Sequence, residues 1–213
     1  IREEKIGGKI ATRLGNGLAP LEPGETDTVI IAGMGGDLIC KILKAKPEFL
    51  IEGKEFILQP QSEWFKIRRL LKEYHYQIEK EWFLKEDGKY YVIIKAEPAW
   101  TQPQRLKHQQ PSIHEYIKEI SDTQVNQAVS EKDMESIYEQ YGKYLIETKN
   151  PVLKEYLEKE ITKKESIAAE LKQSIKEIES EELSGKERGN IAKRQRRYQE
   201  IQKEIRDMRK AIG

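Results

Sequence analysis

Three glycines fall within four residues in the stretch Gly33-Met34-Gly35-Gly36. Glycine adopts positive φ without strain and has no side chain, so a ligand can approach the main chain closely at such a turn. The residues before it, Val29 to Ala32, are β-branched or small and apolar, which predicts a strand buried on both faces. A glycine-rich turn alone is weak evidence for a ligand site, so a turn with only a structural role remains the alternative.

Polar amide side chains follow two other predicted strands. Asn16, within Gly15-Asn16-Gly17, follows a short strand predicted from the alternation of Ile10, Thr12 and Leu14. Gln59 and Gln61 flank Pro60 where the apolar strand from Glu55 to Leu58 ends. Because ligands of open α/β sheets bind beyond the carboxyl ends of the strands, these amides are candidate ligand contacts. For Asn16 the alternative is a turn asparagine that tolerates left-handed φ.

The elements around these residues alternate between strand and helix. A helical pattern follows the glycines and continues to about Ala45, so a helix N-terminus is expected to face the same ligand position. After Pro60, Ser62 is a predicted N-cap of a second helix. That helix has an amphipathic face formed by Trp64, Ile67, Leu70 and Leu71. The order predicts a parallel, doubly wound sheet.

The periodicity then changes from helical to alternating. Residues from Tyr76 to Phe83 alternate with period two, and Asp87-Gly88 is a strong hairpin signal before the apolar stretch from Tyr90 to Ile94. The sequence therefore predicts that an antiparallel hairpin ends the sheet.

From Asn150 onward the chain is predicted to be helical, with Asn150 as the cap and Pro151 at the first helical position. Apolar residues recur every three or four positions, interrupted at Lys164 and broken at Ser184-Gly185. This pattern predicts an antiparallel coiled-coil hairpin. We accordingly divide the chain into residues 1–97 with the sheet, a connecting helical segment at 98–150, and the helical hairpin at 151–213.

The second half of this hairpin is basic. Residues 186–213 contain ten Lys or Arg and four Asp or Glu. One interpretation is that these charges pair across the helical seam; the other is that they bind a phosphate backbone near the loop. The candidate phosphate ligands are Lys186, Arg188, Lys193, Arg194, Arg196 and Arg197.

Composition excludes several classes of site. The net charge is +1, and Cys40 is the single cysteine, which excludes a disulfide within the chain and indicates a reducing, cytoplasmic setting. No apolar run approaches the about 18 residues of a membrane span. His75, His108 and His114 lack metal-ligand spacing, so no metal is expected. Nothing in the composition specifies an oligomeric state.

Four motifs together resemble bacterial tRNA (adenine-N1)-methyltransferases of the TrmK type. In chain order they are Arg13-Leu14-Gly15-Asn16-Gly17-Leu18, Thr28 to Gly36, Leu58-Gln59-Pro60-Gln61 and Asp87-Gly88-Lys89-Tyr90-Tyr91. The resemblance implies a Rossmann-like α/β sheet of order 3-2-1-4-5-7-6. It further implies S-adenosylmethionine-dependent methylation of N1 of adenine 22 in tRNA. The acidic turn that holds the cofactor's methionine end has no counterpart here, which implies that the first strands are lacking and that the chain is the C-terminal part of a longer enzyme.

The same resemblance implies roles for individual residues. The cofactor would contact Asn16, Gly17, Gly33, Met34, Gly35 and Gly36. Backbone carbonyls near Gly33 and Met34 would take the adenine amine, in place of the Asp/Asn-Pro-Pro-aromatic motif of other adenine-N-methyltransferases. Gln59, Pro60 and Gln61 would read the edge of the flipped base. Since N1 of adenine already carries a lone pair, no nucleophile or general base is expected.

Two other functions compete with this one. The chain could bind tRNA or another RNA through the helical hairpin, as a scaffold without methyltransferase activity. A nucleotide-binding oxidoreductase is disfavoured, because G-x-G-x-x-G is lacking before a helix and the terminal antiparallel hairpin is atypical of that class.

Overall fold

The computed structural model describes residues 9–99, 129–179 and 185–213, with side chains described except at 129–132, 179 and 185–188. Two compact units are present: Ile1–Glu81 with Val92–Gln110, and Trp82–Tyr91 with Pro111–Gly213. The described helices and strands, in chain order, are β1 (Thr28–Met34), α1 (Gly36–Ala45), α2 (Glu48–Ile51), β2 (Glu55–Pro60), α3 (Trp64–Glu73), β3 (Tyr76–Glu86), β4 (Lys89–Pro98), α4 (Val129–Tyr141), α5 (Lys143–Glu147), α6 (Pro151–Glu179) and α7 (Gly185–Ile212).

The described strands form one sheet of order β1-β2-β4-β3. β1 and β2 are parallel, and β2 and β4 are antiparallel. β3 and β4 are joined by the two-residue turn Asp87-Gly88, in which both residues have positive φ as the predicted hairpin requires. The Rossmann-like α/β class and the terminal hairpin are confirmed, and the order agrees with the 4-5-7-6 part of the expected sheet.

The prediction that β1 is buried on both faces is wrong. Val29 and Ile31 are buried, but Ile30 between them is 68% exposed. Among the described residues β1 has β2 on one side only, so it is an edge strand of this sheet. A run of apolar residues indicates a strand, but burial of both faces also requires elements that cover both faces.

The strand predicted from Ile10, Thr12 and Leu14 is also absent from the described structure, in which residues 10–14 have no regular conformation. Leu14 is fully exposed. The backbone here is held by Arg13, which donates to Glu25 Oε1 at 2.7 Å and to the Pro20 carbonyl at 3.1 Å. Alternation predicts the faces of a strand, but a strand forms only beside a hydrogen-bonding neighbour.

The core of the first unit lies between the sheet and its helices. α1 and α3 pack on each other, and α3 buries the predicted face while Trp64 is only partly covered. Each large apolar side chain contributes about 1.5–3 kcal/mol when fully buried. The fully buried residues include Leu43, Phe49, Phe56, Leu58, Ile67, Leu71, Val92 and Ile94.

A buried ion pair joins α3 to β3. Arg68 Nε donates to Glu81 Oε1 at 2.8 Å, and both side chains are at most 4% exposed. Burial raises the pKa of Glu81, and the Arg68 charge opposes this shift. Such a pair fixes which side chains meet and contributes little net stability.

In the second unit, α6 and α7 are antiparallel. Lys164 pairs with Glu204, Arg194 donates to Ser174, and Arg209 Nη2 lies 2.6 Å from Glu165 Oε1. The apolar residues predicted for the seam are largely buried. Leu153, Leu157, Ile161, Ala168, Ile191, Ile201, Ile205 and Met208 are the buried ones. Lys164, which interrupts the apolar pattern, is thus matched by a carboxylate on the facing helix.

Asn150 caps α6 as predicted. Its Oδ1 accepts hydrogen bonds from the Val152 and Leu153 amides, both at 3.0 Å. Because the first amides of a helix have no intrahelical acceptor, this cap satisfies two of them.

The tip of the β3–β4 hairpin packs on α6 within the second unit. Glu155 Oε1 accepts from Lys85 at 2.6 Å, Lys159 at 2.7 Å and the Tyr90 hydroxyl at 3.1 Å. The Tyr90 ring also contacts Tyr156, with 5.0 Å between ring centroids. The motif Asp87-Gly88-Lys89-Tyr90-Tyr91 therefore contributes a docking side chain as well as a turn.

Glu155→Gln is expected to lower the melting temperature at pH 7, with an effect that shrinks as the pH falls from about 5 to 3. Hydrogen bonds from Lys159 first, then Lys85 and Tyr90, lower the pKa of Glu155 to about 2. A lowered pKa contributes stability above the unfolded-state value near 4.5, which is lost as the pH falls toward 2. Thermal unfolding across this pH range provides the measurement. Glu158→Gln is the control, since Glu158 pairs with Lys154 at 3.9 Å. A difference in melting temperature that does not vary with pH would contradict the assignment.

No helix in the described part of the chain is long and apolar enough to cross a membrane.

Candidate functional site

The candidate site lies where β1 and β2 end. These parallel strands run in register from Thr28 opposite Glu55 to Met34 opposite Pro60, with an irregularity between Ala32 and Met34. Gly33, at this irregularity, has φ of +79° and is exposed. The structure therefore brings together two predicted sets, Gly33 to Gly36 and Gln59 to Gln61, which we call the glycine turn and the Gln-Pro-Gln segment.

Three hydrogen bonds in the described structure connect the glycine turn to the end of β2 and the residues that follow it. The Gly33 amide donates to Gln59 Oε1 at 2.8 Å, the Gln61 amide donates to the Met34 carbonyl at 2.8 Å, and the Gly36 amide donates to the Ser62 carbonyl at 3.0 Å. The Met34 carbonyl, expected to take the adenine amine, thus already has one donor. Its second lone pair is the one left for a ligand.

The N-terminus of α1 is closed by the loop that precedes α3. The Gly36 amide is held by Ser62, and the Asp37 amide donates to Glu63 Oε2 at 3.3 Å. Gly36 is buried, and a Cβ added there would lie 2.6 Å from the Glu63 carbonyl oxygen. A helix N-terminus that binds phosphate must present its amides to the ligand. The first amides of α1 donate to Ser62 and Glu63 instead, which disfavours a dinucleotide-binding site.

The N-cap prediction for α3 is wrong. Glu63, in the left-handed conformation at φ +50°, occupies the N-cap position, and no side chain caps the helix. Ser62 Oγ instead donates to Glu63 Oε2 at 3.2 Å. Ser62 has the side chain of an N-cap. Its carbonyl, however, accepts a hydrogen bond from the Gly36 amide of α1, and α3 begins only at Trp64.

Glu63 and Asp37 form a charged bridge between α1 and α3 that the sequence analysis missed. Lys66 Nζ lies 3.0 Å from Asp37 Oδ1 and 3.5 Å from Glu63 Oε1, and Lys41 lies 2.7 Å from Asp37 Oδ2. Hydrogen bonds from Lys41 and then Lys66 lower the pKa of Asp37 to about 2. The bond from the Asp37 amide, followed by that from Ser62, lowers the pKa of Glu63. Both carboxyl groups are therefore ionised at neutral pH and unsuited to donate a proton. The sequence did contain a signal for Glu63, because it is an acidic residue shortly after a strand end, in Gln61-Ser62-Glu63.

Cys40 lies next to this bridge. Its thiol donates to the Lys66 carbonyl at 3.5 Å, and it is half-buried. Burial raises the pKa of the Cys40 thiol, which keeps it protonated and poorly nucleophilic.

Asn16 and Gly17 lie in an exposed turn beside α1. The Ala19 amide donates to the Asn16 carbonyl at 3.1 Å. Gly17 has φ of +56°, and a Cβ added there would lie 2.8 Å from Ile42 Cγ2. Ile42 lies in the second turn of α1, and the described contacts do not join Asn16 or Gly17 to the glycine turn.

The basic residues of α7 divide into two groups. Arg194 donates to Ser174, and Arg197 lies 3.2 Å from Glu200 and 3.3 Å from Glu204. Lys193 and Arg196 are exposed and form no ion pair with a carboxylate of the described residues. Lys186 and Arg188 belong to α7, but their side chains lie outside the described residues. Arg194 and Arg197 therefore have partners within the helical unit, Arg197 on its own helix rather than across the seam, whereas Lys193 and Arg196 remain candidates for phosphate.

One group of three carboxylates in the described structure has the spacing of a metal site, formed by Glu55, Glu79 and Glu97. The ammonium group of Lys95 lies among them, at 2.9, 2.7 and 3.1 Å respectively. The three acids therefore already have a cation between them. Of the histidines considered as ligands, His108 and His114 lie outside the described residues.

A family model and a curated relative indicate the same family. A family model described as "TrmK: tRNA (adenine(22)-N(1))-methyltransferase" matches residues 1–140. The chain is 32% identical over 158 residues to the tRNA (adenine(22)-N(1))-methyltransferase of Bacillus subtilis (strain 168). That alignment covers 59% of this chain and 65% of the relative, so the chain spans less than two thirds of the relative's length.

Two solved structures share the fold. The crystal structure of the B. subtilis M1A22 tRNA methyltransferase TrmK has a TM-score of 0.65 at 23% identity, covering 100% of this chain and 74% of that one. A Streptococcus pneumoniae putative tRNA (m1A22) methyltransferase, solved in complex with S-adenosyl-L-methionine, has a TM-score of 0.57 at 21% identity, covering 99% and 74%. At these identities the structural likeness supports the fold.

Proposed function

The chain belongs to the TrmK family of tRNA (adenine(22)-N(1))-methyltransferases, and from this premise we propose that it takes part in methylating N1 of adenine 22 in tRNA, with S-adenosyl-L-methionine as the methyl donor. The observation that carries the proposal is the family match over residues 1–140, a span that contains the glycine turn, the Gln-Pro-Gln segment and the hairpin. The S. pneumoniae structure with bound S-adenosyl-L-methionine supports the choice of cofactor.

The closed N-terminus of α1 fits this cofactor. S-adenosyl-L-methionine has no phosphate, so its binding does not need the amides that Ser62 and Glu63 occupy. When bound, it supplies an electrophilic methyl group on a sulfonium. We propose that the cofactor is held by Asn16, Gly17, Gly33, Met34, Gly35 and Gly36.

The role of the protein in this reaction is orientation. N1 of adenine carries its own lone pair, and the ionised Asp37 and Glu63 need not accept a proton. Holding the base in line with the methyl group at near-attack distance accounts for most of the acceleration. On the substrate side we propose the Gln-Pro-Gln segment, together with the carbonyls of Gly33 and Met34.

The N-terminal and C-terminal parts of the chain would have different functions. We propose that residues 1–97 belong to the methyltransferase domain, that 98–150 connect, and that 151–213 form an antiparallel coiled coil that binds tRNA. Lys193 and Arg196 support the last assignment, because they are exposed and form no ion pair with a described carboxylate. A tRNA substrate also implies a cytoplasmic location.

The direct test is methylation of paired tRNA transcripts. The full-length enzyme that contains this chain, with S-adenosyl-L-methionine, is expected to add one methyl group to a tRNA that carries A22 and none to the same tRNA with A22→G. Nucleoside digestion and mass spectrometry would identify 1-methyladenosine. Equal tRNA affinity for both transcripts would show that the difference arises at the target base.

The second candidate function is RNA binding without methyl transfer, which the exposed cations of α7 favour. It predicts that both transcripts bind and neither is methylated. Methylation at an adenine other than 22 would contradict both functions as stated.

A further inference from the structure

The amide of Gln59 has a fixed orientation in the candidate site. A backbone N–H can only donate, so the atom that faces the Gly33 amide at 2.8 Å must be the side-chain oxygen. The NH₂ group of Gln59 consequently faces the other way. It is buried and has no acceptor among the described residues.

Gln61 differs from Gln59 on each of these points. Its side chain is exposed, and its tie to the glycine turn is through the backbone, from its amide to the Met34 carbonyl. Its side-chain amide is therefore accessible to a ligand. Gln59 could offer its NH₂ group to a base only if that group, which is now enclosed, became exposed.

The bond from Gly33 to Gln59 lies where the β1–β2 ladder becomes irregular. The register shifts between Ala32 and Met34, and Gly33 between them has φ of +79°. Since this amide leaves the regular ladder, the Gln59 side chain supplies the acceptor that holds it. The direction of the peptide groups on either side of Gly33 follows from that contact.

We infer that Gln59 is a positioning residue: it holds the Gly33 amide and so orients the glycine turn, while Gln61 is the glutamine that reads the edge of the base. This inference rests on the proposed function for the nature of the ligand. It separates two residues that the motif Gln59-Pro60-Gln61 presents as equivalent.

Two substitutions at position 59 separate the oxygen from the NH₂ group. Gln59→Glu keeps an oxygen that faces Gly33 and removes the donor, whereas Gln59→Met removes both. Thr28→Val is the matched control, because Thr28 Oγ1 also bonds across β1 and β2, to Glu55 at 3.1 Å, at the other end of the same strand pair.

The first readout is hydrogen exchange at the Gly33 amide, measured by NMR in the absence of cofactor and tRNA. Exchange is expected to accelerate by about 5-fold in Gln59→Met, the equivalent of one lost neutral hydrogen bond, and to stay near the parent rate in Gln59→Glu and Thr28→Val. The second readout is methyl transfer. Gln59→Met is expected to lower kcat by about 10–100-fold with little change in KM for tRNA, and Gln59→Glu is expected to lower kcat by a smaller factor.

Unchanged Gly33 exchange in Gln59→Met would overturn the inference. So would a clear rise in KM for tRNA that is the same in Gln59→Glu and Gln59→Met, because that result would assign the NH₂ group to the substrate. The exchange readout needs no activity, so failure of the proposed function would leave it interpretable.

Discussion

Gly36→Ala is expected to destabilise the first unit by about 3 kcal/mol and to abolish methyl transfer. The added Cβ would lie 2.6 Å from the Glu63 carbonyl oxygen and 2.7 Å from that of Ser62. Both atoms are backbone, so no side chain can move aside. Relief of the clash would separate α1 from the start of α3 and break the 3.0 Å bond from the Gly36 amide to Ser62.

Urea unfolding of three alanine variants measures this effect. At Gly35 the added Cβ would lie 3.1 Å from Ser62 Oγ, which is the end of a side chain that can rotate away. Gly35→Ala is therefore expected to lower the free energy of unfolding much less than Gly36→Ala. Gly189→Ala, in α7, meets nothing within 4 Å and is expected to stabilise by about 0.5–1 kcal/mol through helix propensity. Equal stability of the Gly36 and Gly35 variants would mean that the loop before α3 adapts freely.

The order of elements around the site could be predicted from sequence because each step has a local signal. Apolar runs marked β1 and β2, and spacing by three and four marked α1 and α3. The pair Asp87-Gly88 specified the hairpin, since both of its residues adopt positive φ.

Contacts between distant segments could not be predicted in this way. Ser62 has the chemistry of an N-cap, yet its carbonyl is needed by Gly36, 26 residues earlier, and Glu63 takes the cap position. The alternation around Thr12 predicted a strand that has no neighbour in the described structure. The local sequence pattern indicates the conformation that a segment prefers, and contacts with the rest of the fold decide whether the segment adopts it.

In the candidate site, too, some features follow from local sequence and others from contacts between distant segments. Strand ends brought the glycine turn and the Gln-Pro-Gln segment together, as parallel pairing requires. That Gln59 is engaged by Gly33 while Gln61 is exposed depends on the irregularity after Ala32, which no composition or spacing reveals. The register of α6 and α7 likewise places Arg194 beside Ser174 and Arg209 beside Glu165.

That register leads to the last prediction, which concerns tRNA binding. Neutralising Lys193 and Arg196 together, as Lys193→Gln and Arg196→Gln, is expected to weaken tRNA binding and reduce its salt dependence. Each lost phosphate contact lowers the slope of log affinity against log salt by about 0.7–0.9, so the pair should lower it by about 1.5. Both side chains are exposed and form no ion pair with a described carboxylate, so their charges are available to neutralise phosphates and release the cations bound there.

The matched control removes the same charge from the same two turns of α7. Arg194→Gln with Arg197→Gln takes away a donor to Ser174 and the ion pairs with Glu200 and Glu204. The hydrogen bond to Glu200 and the charge of Glu204 raise the pKa of Arg197, which indicates that its charge is already compensated within the helix. This double variant is expected to lower the melting temperature of the helical unit and to change the salt slope by less than half as much. Identical slopes for the two double variants would mean that tRNA senses only the net charge of α7. An unchanged slope in both would remove the helix from the binding surface, since a phosphate contact cannot be lost without releasing fewer counterions.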